Sequence, residues 1–292
     1  MGLDPMSTPE STDRTTTAVT HDGAFRVIAL RTTETVRGCI RSQDAKGEDK
    51  RFLADVVSGT ILVRLTMAPT LRVQGIVRGA GNRGTLVGDS HPDGSTRSLI
   101  QKPAGLEQIS LGKGALMQMM RTLPTGAVNQ GVVVVPDGSV SGALMQYLSG
   151  SEQITAVAMV TSLFEDGEVV GAGGYIVQLL PEVSRSPLAV MTERLAADFT
   201  DPRTVLTMLE DDPAKLMGEI LWGMKFAQTQ EATLRFGCHC SSVRVLSSLA
   251  TLPKAEIRDM IEGGEAVHIT CDYCRQVYEL SPKSLAGLLA PS

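Results

Sequence analysis

A chain of 292 residues is long for one domain, and with 42% hydrophobic and 20% charged residues it has the composition of a globular protein that buries a core. Its net charge of -5 argues against a general polyanion binder, because affinity for phosphate comes mainly from clustered Lys and Arg. No run approaches the ~20 apolar residues of a membrane span, and Met1–Asp22 has no apolar segment behind positive charge, so neither a membrane anchor nor a secretory signal is expected.

Residues 1–23, rich in Thr, Ser and Pro, read as a disordered leader, with Met6 a candidate natural start and Met1–Pro5 a cloning extension. Residues 24–182 read as one α/β unit. Its β-rich runs are Ala24–Leu30, Thr60–Leu65, Leu71–Val77, Gly131–Val135, Thr155–Phe164 and Val169–Leu180. The last two flank Glu165-Asp166-Gly167-Glu168, a hairpin signal. Asp137-Gly138 marks a turn before a helical segment over Val140–Leu148. Gly79-Ala80-Gly81-Asn82-Arg83-Gly84 lacks the Lys-Ser/Thr of a phosphate loop and reads as a turn. Met117, Met119 and Met120 suit either a core or an adaptable surface, and Cys39 reads as an ordinary semi-buried thiol.

Residues 183–236 change texture to helices punctuated by proline. Pro187 opens Leu188–Phe199, with Leu188, Met191, Leu195 and Phe199 at helical spacing. Asp201-Pro202 and Asp212-Pro213 each read as an N-cap followed by proline at the first helical position. Such short helices need something to dock on. From the residues alone the segment is read as an ordinary helical subdomain, and only the family resemblance given below makes it a helical linker.

Residues 237–292 hold four of the five cysteines. Cys238 and Cys240 form a C-x-C pair. After thirty residues Cys271 and Cys274 form a C-x-x-C pair, with a helix expected over Pro253–Ile261, a strand over Ala266–Thr270 and a closing helix over Ser281–Leu289. Two close thiol pairs converge readily on one tetrahedral Zn²⁺, and a closed four-thiolate shell leaves no position for a catalytic water. His239 and His268 are spectators beside four thiolates. In a reducing, cytoplasmic compartment, clustered cysteines are metal ligands or redox switches more often than structural disulfides. Thiolates held by a metal are also the form that oxidants attack, and each pair is close enough to close on itself if the metal leaves. The expected fold class is thus α+β: an N-terminal α/β sheet-and-helix domain, a helical linker and a small C-terminal zinc-binding domain.

Cys238-His239-Cys240-Ser241-Ser242-Val243-Arg244, the thirty-residue gap and Cys271-Asp272-Tyr273-Cys274 followed by Tyr278 resemble the redox-regulated 33-kDa heat-shock chaperone family. Upstream, Gln130-Gly131-Val132-Val133, Tyr147-Leu148-Ser149-Gly150-Ser151-Glu152-Gln153 and Ala172-Gly173-Gly174 through Gln178 and Pro181 are similar to that family's landmarks in the same order. Asn129 and Ser242-Val243 depart from its usual residues. The resemblance covers Ala24–Leu289. It implies a non-enzymatic, ATP-independent holdase of the stress response, inactive when reduced with one Zn²⁺ on Cys238, Cys240, Cys271 and Cys274. Oxidation is then expected to expel zinc and form disulfides Cys238–Cys240 and Cys271–Cys274. The linker unfolds, unfolded client proteins are held, and a homodimer forms on activation.

Two other functions use the same cysteines. A zinc-ribbon nucleic-acid binder would need a basic footprint, but Thr233–Ser292 carries six Lys/Arg against six Asp/Glu. A thiol-disulfide oxidoreductase could use Cys271 and Cys274, but outside any βαβ pattern and with the first pair unexplained.

Overall fold

The structure, a computed structural model, describes residues 12–123, 125–180 and 186–289. The chain forms two compact units that divide between Phe236 and Gly237.

In the first unit, β1 (Arg14–Thr20) and β2 (Phe25–Arg31) are followed by α1 (Thr33–Gln43) and α2 (Glu48–Thr66). Five strands come next: β3 (Arg72–Arg78), β4 (Thr85–Ser90), β5 (Ser95–Gln101), β6 (Leu116–Thr122) and β7 (Val128–Val134). Then come α3 (Val140–Gly150), β8 (Ala156–Glu165), β9 (Glu168–Leu179), α4 (Ser186–Asp198), α5 (Pro202–Asp211), α6 (Pro213–Ile220), β10 (Phe226–Thr233) and β11 (Arg235–Phe236). The strands make a five-stranded sheet ordered β10-β1-β2-β9-β8 and a six-stranded sheet ordered β11-β5-β4-β3-β6-β7. Pairing is antiparallel except for the short parallel β11–β5 step.

Helix α2 lies between the sheets, touching β3 and β4 on one side and β8 and β9 on the other. Leu53, Val57, Ile61 and Leu62 join Ile28 and Ile176 of one sheet and Val73 and Leu86 of the other in one core. A helix buried all round needs its backbone close to the strands. Gly75 and Gly88, paired across β3 and β4, allow this: a Cβ on either would fall 2.2 or 2.7 Å from Thr60 Oγ1. The polar groups α2 carries inside find partners, with Asp49 accepting from Lys102 Nζ (2.8 Å) and the Ile109 amide (2.9 Å).

The opposite face of the five-stranded sheet carries Phe25, Val27, Tyr175, Val177 and Leu179. It is covered by Met191, Leu195 and Phe199 of α4 and its C-terminal end, Leu206 and Leu209 of α5, and Leu216, Met217 and Ile220 of α6. Asp201 and Asp212 cap α5 and α6, accepting from the amides of Thr204 and Ala214, with Pro202 and Pro213 at the first turn. Residues 1–11 and 181–185 lie outside the described residues, and with them the first part of the expected leader and the start of the linker.

The structure corrects three expectations. Arg14–Thr20, assigned to the disordered leader, is strand β1, flanked by β2 and β10. Its threonines are β-branched and suit a pleated ladder, although their polarity resembles disorder. Thr60–Leu65 is not a strand but the last turns of α2, because a fully buried helix has the unbroken apolar run of a buried strand. Within 183–236 the described residues are helical only as far as Ile220. Residues 226–233 and 235–236 are strands, one at an end of each sheet.

The expected hairpin forms, with Asp166 and Gly167 at positive φ between β8 and β9. Gly79–Gly84 is a turn with a single 3₁₀ step at Ala80–Asn82. Met117 and Met119 are core residues.

Candidate metal centre

The second unit is assembled from α7 (Ser242–Leu249), α8 (Lys254–Glu262), the antiparallel pair β12 (Val267–Thr270) and β13 (Val277–Leu280), and α9 (Pro282–Ala286). Leu249, Leu280 and Leu285 are its buried cluster, with Val245, Leu246, Met260, Ile261 and others only partly covered. Ile257 is the other buried apolar side chain among its described residues. So small a core does not hold a domain of this size firmly.

The two thiol pairs sit at the starts of regular elements. Cys238-His239-Cys240 runs straight into Ser241, the N-cap of α7, whose hydroxyl accepts from the Arg244 amide. The Arg244 guanidinium turns back to the His239 carbonyl at 2.8 Å and fixes the single residue between the cysteines. Cys271 and Cys274 occupy the turn joining β12 to β13. The Cys271 amide donates to the Gln276 carbonyl (2.9 Å), and the Arg275 amide donates to the Cys271 carbonyl (2.8 Å). Arg275 takes φ +62°, a left-handed conformation that is uncommon for a residue with a Cβ.

All four sulfurs lie within 4.8 Å of one another. Cys238 Sγ is 3.8 Å from Cys271 Sγ, and Cys240 Sγ is 3.4 Å from Cys274 Sγ. A tetrahedral thiolate site with metal–sulfur bonds of about 2.3 Å has sulfur–sulfur edges of about 3.8 Å. The cluster therefore fits one tetrahedral metal ion, and it is far too open for a disulfide across either close pair. Burial pushes the Cys240 and Cys274 thiols above their ordinary range, and it is opposed by the Tyr278 hydroxyl at Cys240 and the Gln276 amide at Cys274. A bound cation supplies the charge that makes four clustered thiolates stable.

The sequence motif thus brings its four cysteines together. Neither His239 nor His268 joins the cluster among the described residues. Cys39 belongs to the other unit, is fully buried, and has its thiol pushed up to about 12 by that burial. Tyr278, which the sequence presented only as a landmark, donates its hydroxyl to Cys240 Sγ at 3.0 Å. The signal was its strand position just after the second pair. Arg244 stood in the sequence only as the last residue of the first cysteine motif, with no sign of its bond to the His239 carbonyl, and Arg275 carried no signal because its part is a backbone φ.

The upstream landmarks are packing devices. Glu152 accepts from the Tyr147 hydroxyl (2.6 Å) and from Arg121 (2.6 Å). Gly131 makes room for Tyr147 and Ser151, while a Cβ at Gly174 would meet the Met159 carbonyl oxygen at 2.2 Å.

No helix among the described residues is long and apolar enough to cross a membrane. A family model described as Hsp33 protein matches residues 13–281. A 33 kDa chaperonin of Syntrophotalea carbinolica is 28% identical over 288 residues, covering 95% of this chain and 99% of that protein. One from Listeria monocytogenes is 27% identical, covering 93% and 96%. The crystal structure of a 33 kDa chaperonin from Thermotoga maritima superposes with a TM-score of 0.79 at 20% identity, covering 96% of this chain and 98% of that one. The match spans both units and the cysteine cluster, and the chain belongs to the Hsp33 protein family of chaperones.

Proposed function

We propose that this chain is a redox-regulated, ATP-independent holdase of the cytoplasm, with Cys238, Cys240, Cys271 and Cys274 holding one Zn²⁺ in the reduced, inactive form. The observation that carries the reading is the pairing of a tetrahedral sulfur cluster with a unit that has almost no apolar core. Bound zinc would keep the four thiols ionised and tie together two segments thirty residues apart. Structural zinc supplies ~10–16 kcal/mol in small modules, against a whole-domain stability of ~5–15 kcal/mol. Loss of the four ligands is therefore enough to unfold the unit.

The chain's own groups set the resting state. The Tyr278 hydroxyl and the Gln276 amide stabilise charge on two of the sulfurs, and Arg244 fixes the C-x-C turn. In oxidation, two thiolates give two electrons to a two-electron oxidant. Hypochlorous acid with one proton leaves as chloride and water, and one S–S bond forms. Two equivalents consume all four ligands. The pairing Cys238–Cys240 and Cys271–Cys274 follows the family resemblance.

With that unit unfolded, residues 226–236 lose their C-terminal neighbour in the chain, and the preceding helices α4–α6 are freed with them. Their departure uncovers Phe25, Val27, Tyr175, Val177 and Leu179, an apolar sheet face suited to unfolded clients and to dimerisation. A closed four-thiolate shell leaves no open metal position, which supports a non-enzymatic role.

The test is aggregation of a thermally unfolding client, followed by light scattering with reduced zinc-loaded protein and with protein oxidised by hypochlorous acid. Suppression by the oxidised form alone is expected. Equal suppression by both would sink the switch. Nucleic-acid binding at moderate salt, or catalytic reduction of insulin, would favour a zinc-ribbon binder or an oxidoreductase instead.

A further inference from the structure

The two sheets share one structural debt: each ends on a strand donated by the same short segment. Residues 226–233 form β10 at the β1 end of the five-stranded sheet, and residues 235–236 form β11 at the β5 end of the six-stranded sheet. We propose that on activation the segment 226–236 peels from both sheets, and that the edges it leaves, β1 above all, pair with extended backbone of the unfolded client. The inference rests on the holdase reading above and names how that surface takes hold of its partner.

Four observations support it. First, β10 is paired from Arg14 with Thr233 to Thr20 with Phe226, with a register break at Thr229, and six of its eight side chains are exposed. Besides its backbone ladder the strand has two side-chain anchors, Phe226 against the apolar cluster under α4–α6 and the Thr229 hydroxyl, which donates to the Thr17 carbonyl at 3.2 Å. Second, the segment has few anchors. Leu234 is buried and its amide donates to the Asp13 carbonyl at 2.9 Å. Phe236 fills the slot left by Gly38, where a Cβ would come within 2.5 Å of it. Arg235 bonds Asp93 at 2.7 Å, but both side chains are close to half exposed. Third, the segment is bracketed by the parts that come apart: α4–α6 precede it, and Gly237, the first residue of the cysteine unit, follows at once. Fourth, β1 lacks the devices that protect a natural edge. After Arg14 it carries no charge and no proline, only Thr15, Thr16, Thr17, Ala18, Val19 and Thr20.

An edge of this kind recognises chemistry rather than sequence. A backbone ladder accepts any extended segment, which is what unfolded clients of unrelated sequence have in common. The apolar face beneath α4–α6 would bind side chains, while the β1 edge would bind the main chain alongside it.

Hydrogen exchange of the full chain tests this in three states: reduced and zinc-loaded, oxidised, and oxidised with reduced carboxymethylated α-lactalbumin as a permanently unfolded client. Oxidation should speed exchange in Arg14–Thr20 by about tenfold or more, and client should restore protection there. The inner strand β2, paired on both sides, should stay protected throughout. A chain that releases metal and holds client with β1 protected in every state overturns the edge inference and leaves the switch standing. So does exposure of β1 that client does not reverse. A chain that holds client equally when reduced overturns both. A peptide of residues 226–233 added in trans should compete with client, and the same peptide with Gln228→Pro and Gln230→Pro should not. Equal competition by the two peptides would contradict backbone pairing.

Discussion

The Tyr278 hydroxyl, 3.0 Å from Cys240 Sγ, is the outer-shell donor to the cluster, and its own proton is held up to about 12 mainly by that bond. Removing such a donor commonly costs 10–100-fold in metal affinity, as an order of magnitude. Tyr278→Phe should weaken zinc binding by about tenfold in competition with a chromogenic chelator while leaving the two sheets intact. An unchanged affinity would mean the hydroxyl only packs. Asp89 is the corresponding polar keystone of the six-stranded sheet. Burial alone would raise its pKa, but hydrogen bonds from His91 and Arg72 and the charges of Arg72 and Arg97 outweigh it and hold the carboxyl well below the ordinary range. A depressed folded pKa contributes stability above the unfolded value, near 4, and loses it as pH falls toward the folded value. Urea midpoints should therefore fall steadily below about pH 5. Asp89→Asn should remove much of that acid dependence and cost about 3 kcal/mol at neutral pH, because Arg72 and Arg97 lose their shared partner.

Among the elements, α4–α6 are held by side chains rather than by any shared ladder, so their docking is tunable. Leu209 is buried against the sheet, where a Cβ at Gly173 would fall 2.8 Å from it. Leu209→Ala should loosen the helices by about 2–4 kcal/mol and lower the peroxide dose or temperature at which client light scattering is suppressed. A threshold identical to the parent's would place the control elsewhere. How far these elements were legible depended on the range of their causes. The caps Asp201 and Asp212 are local signals, as are the thiol pairs and the Asp166-Gly167 turn, and all can be read from a few residues. Helix α2 was not legible over Thr60–Leu65 because burial on every side erases the periodicity that marks a helix. Strands β1 and β10 were not legible because each is polar and each owes its state to the other across almost the whole unit, Arg14 meeting Thr233. Tyr278 was visible in the sequence, but its bond to sulfur was not.

At the scale of the molecule, a well-packed unit with two buried apolar clusters is joined in sequence to one with scarcely any core and a four-sulfur cluster. Stability is unevenly shared, so stress acts first on the weaker unit. A strong chelator under reducing conditions should therefore collapse the dispersed amide signals of residues 237–289 and leave those of the two sheets in place. Retention of both sets would show that apolar packing alone holds the second unit. The proposed switch makes metal loss and client holding one event. The decisive measurement oxidises the protein with peroxide and mild heat in the presence of a chromogenic chelator and an aggregating client, following zinc absorbance and light scattering together. One zinc per chain should appear as suppression of aggregation sets in, and reductant with added zinc should reverse both. Full suppression before any zinc is released, or complete release with no suppression, would show that the two events are separate.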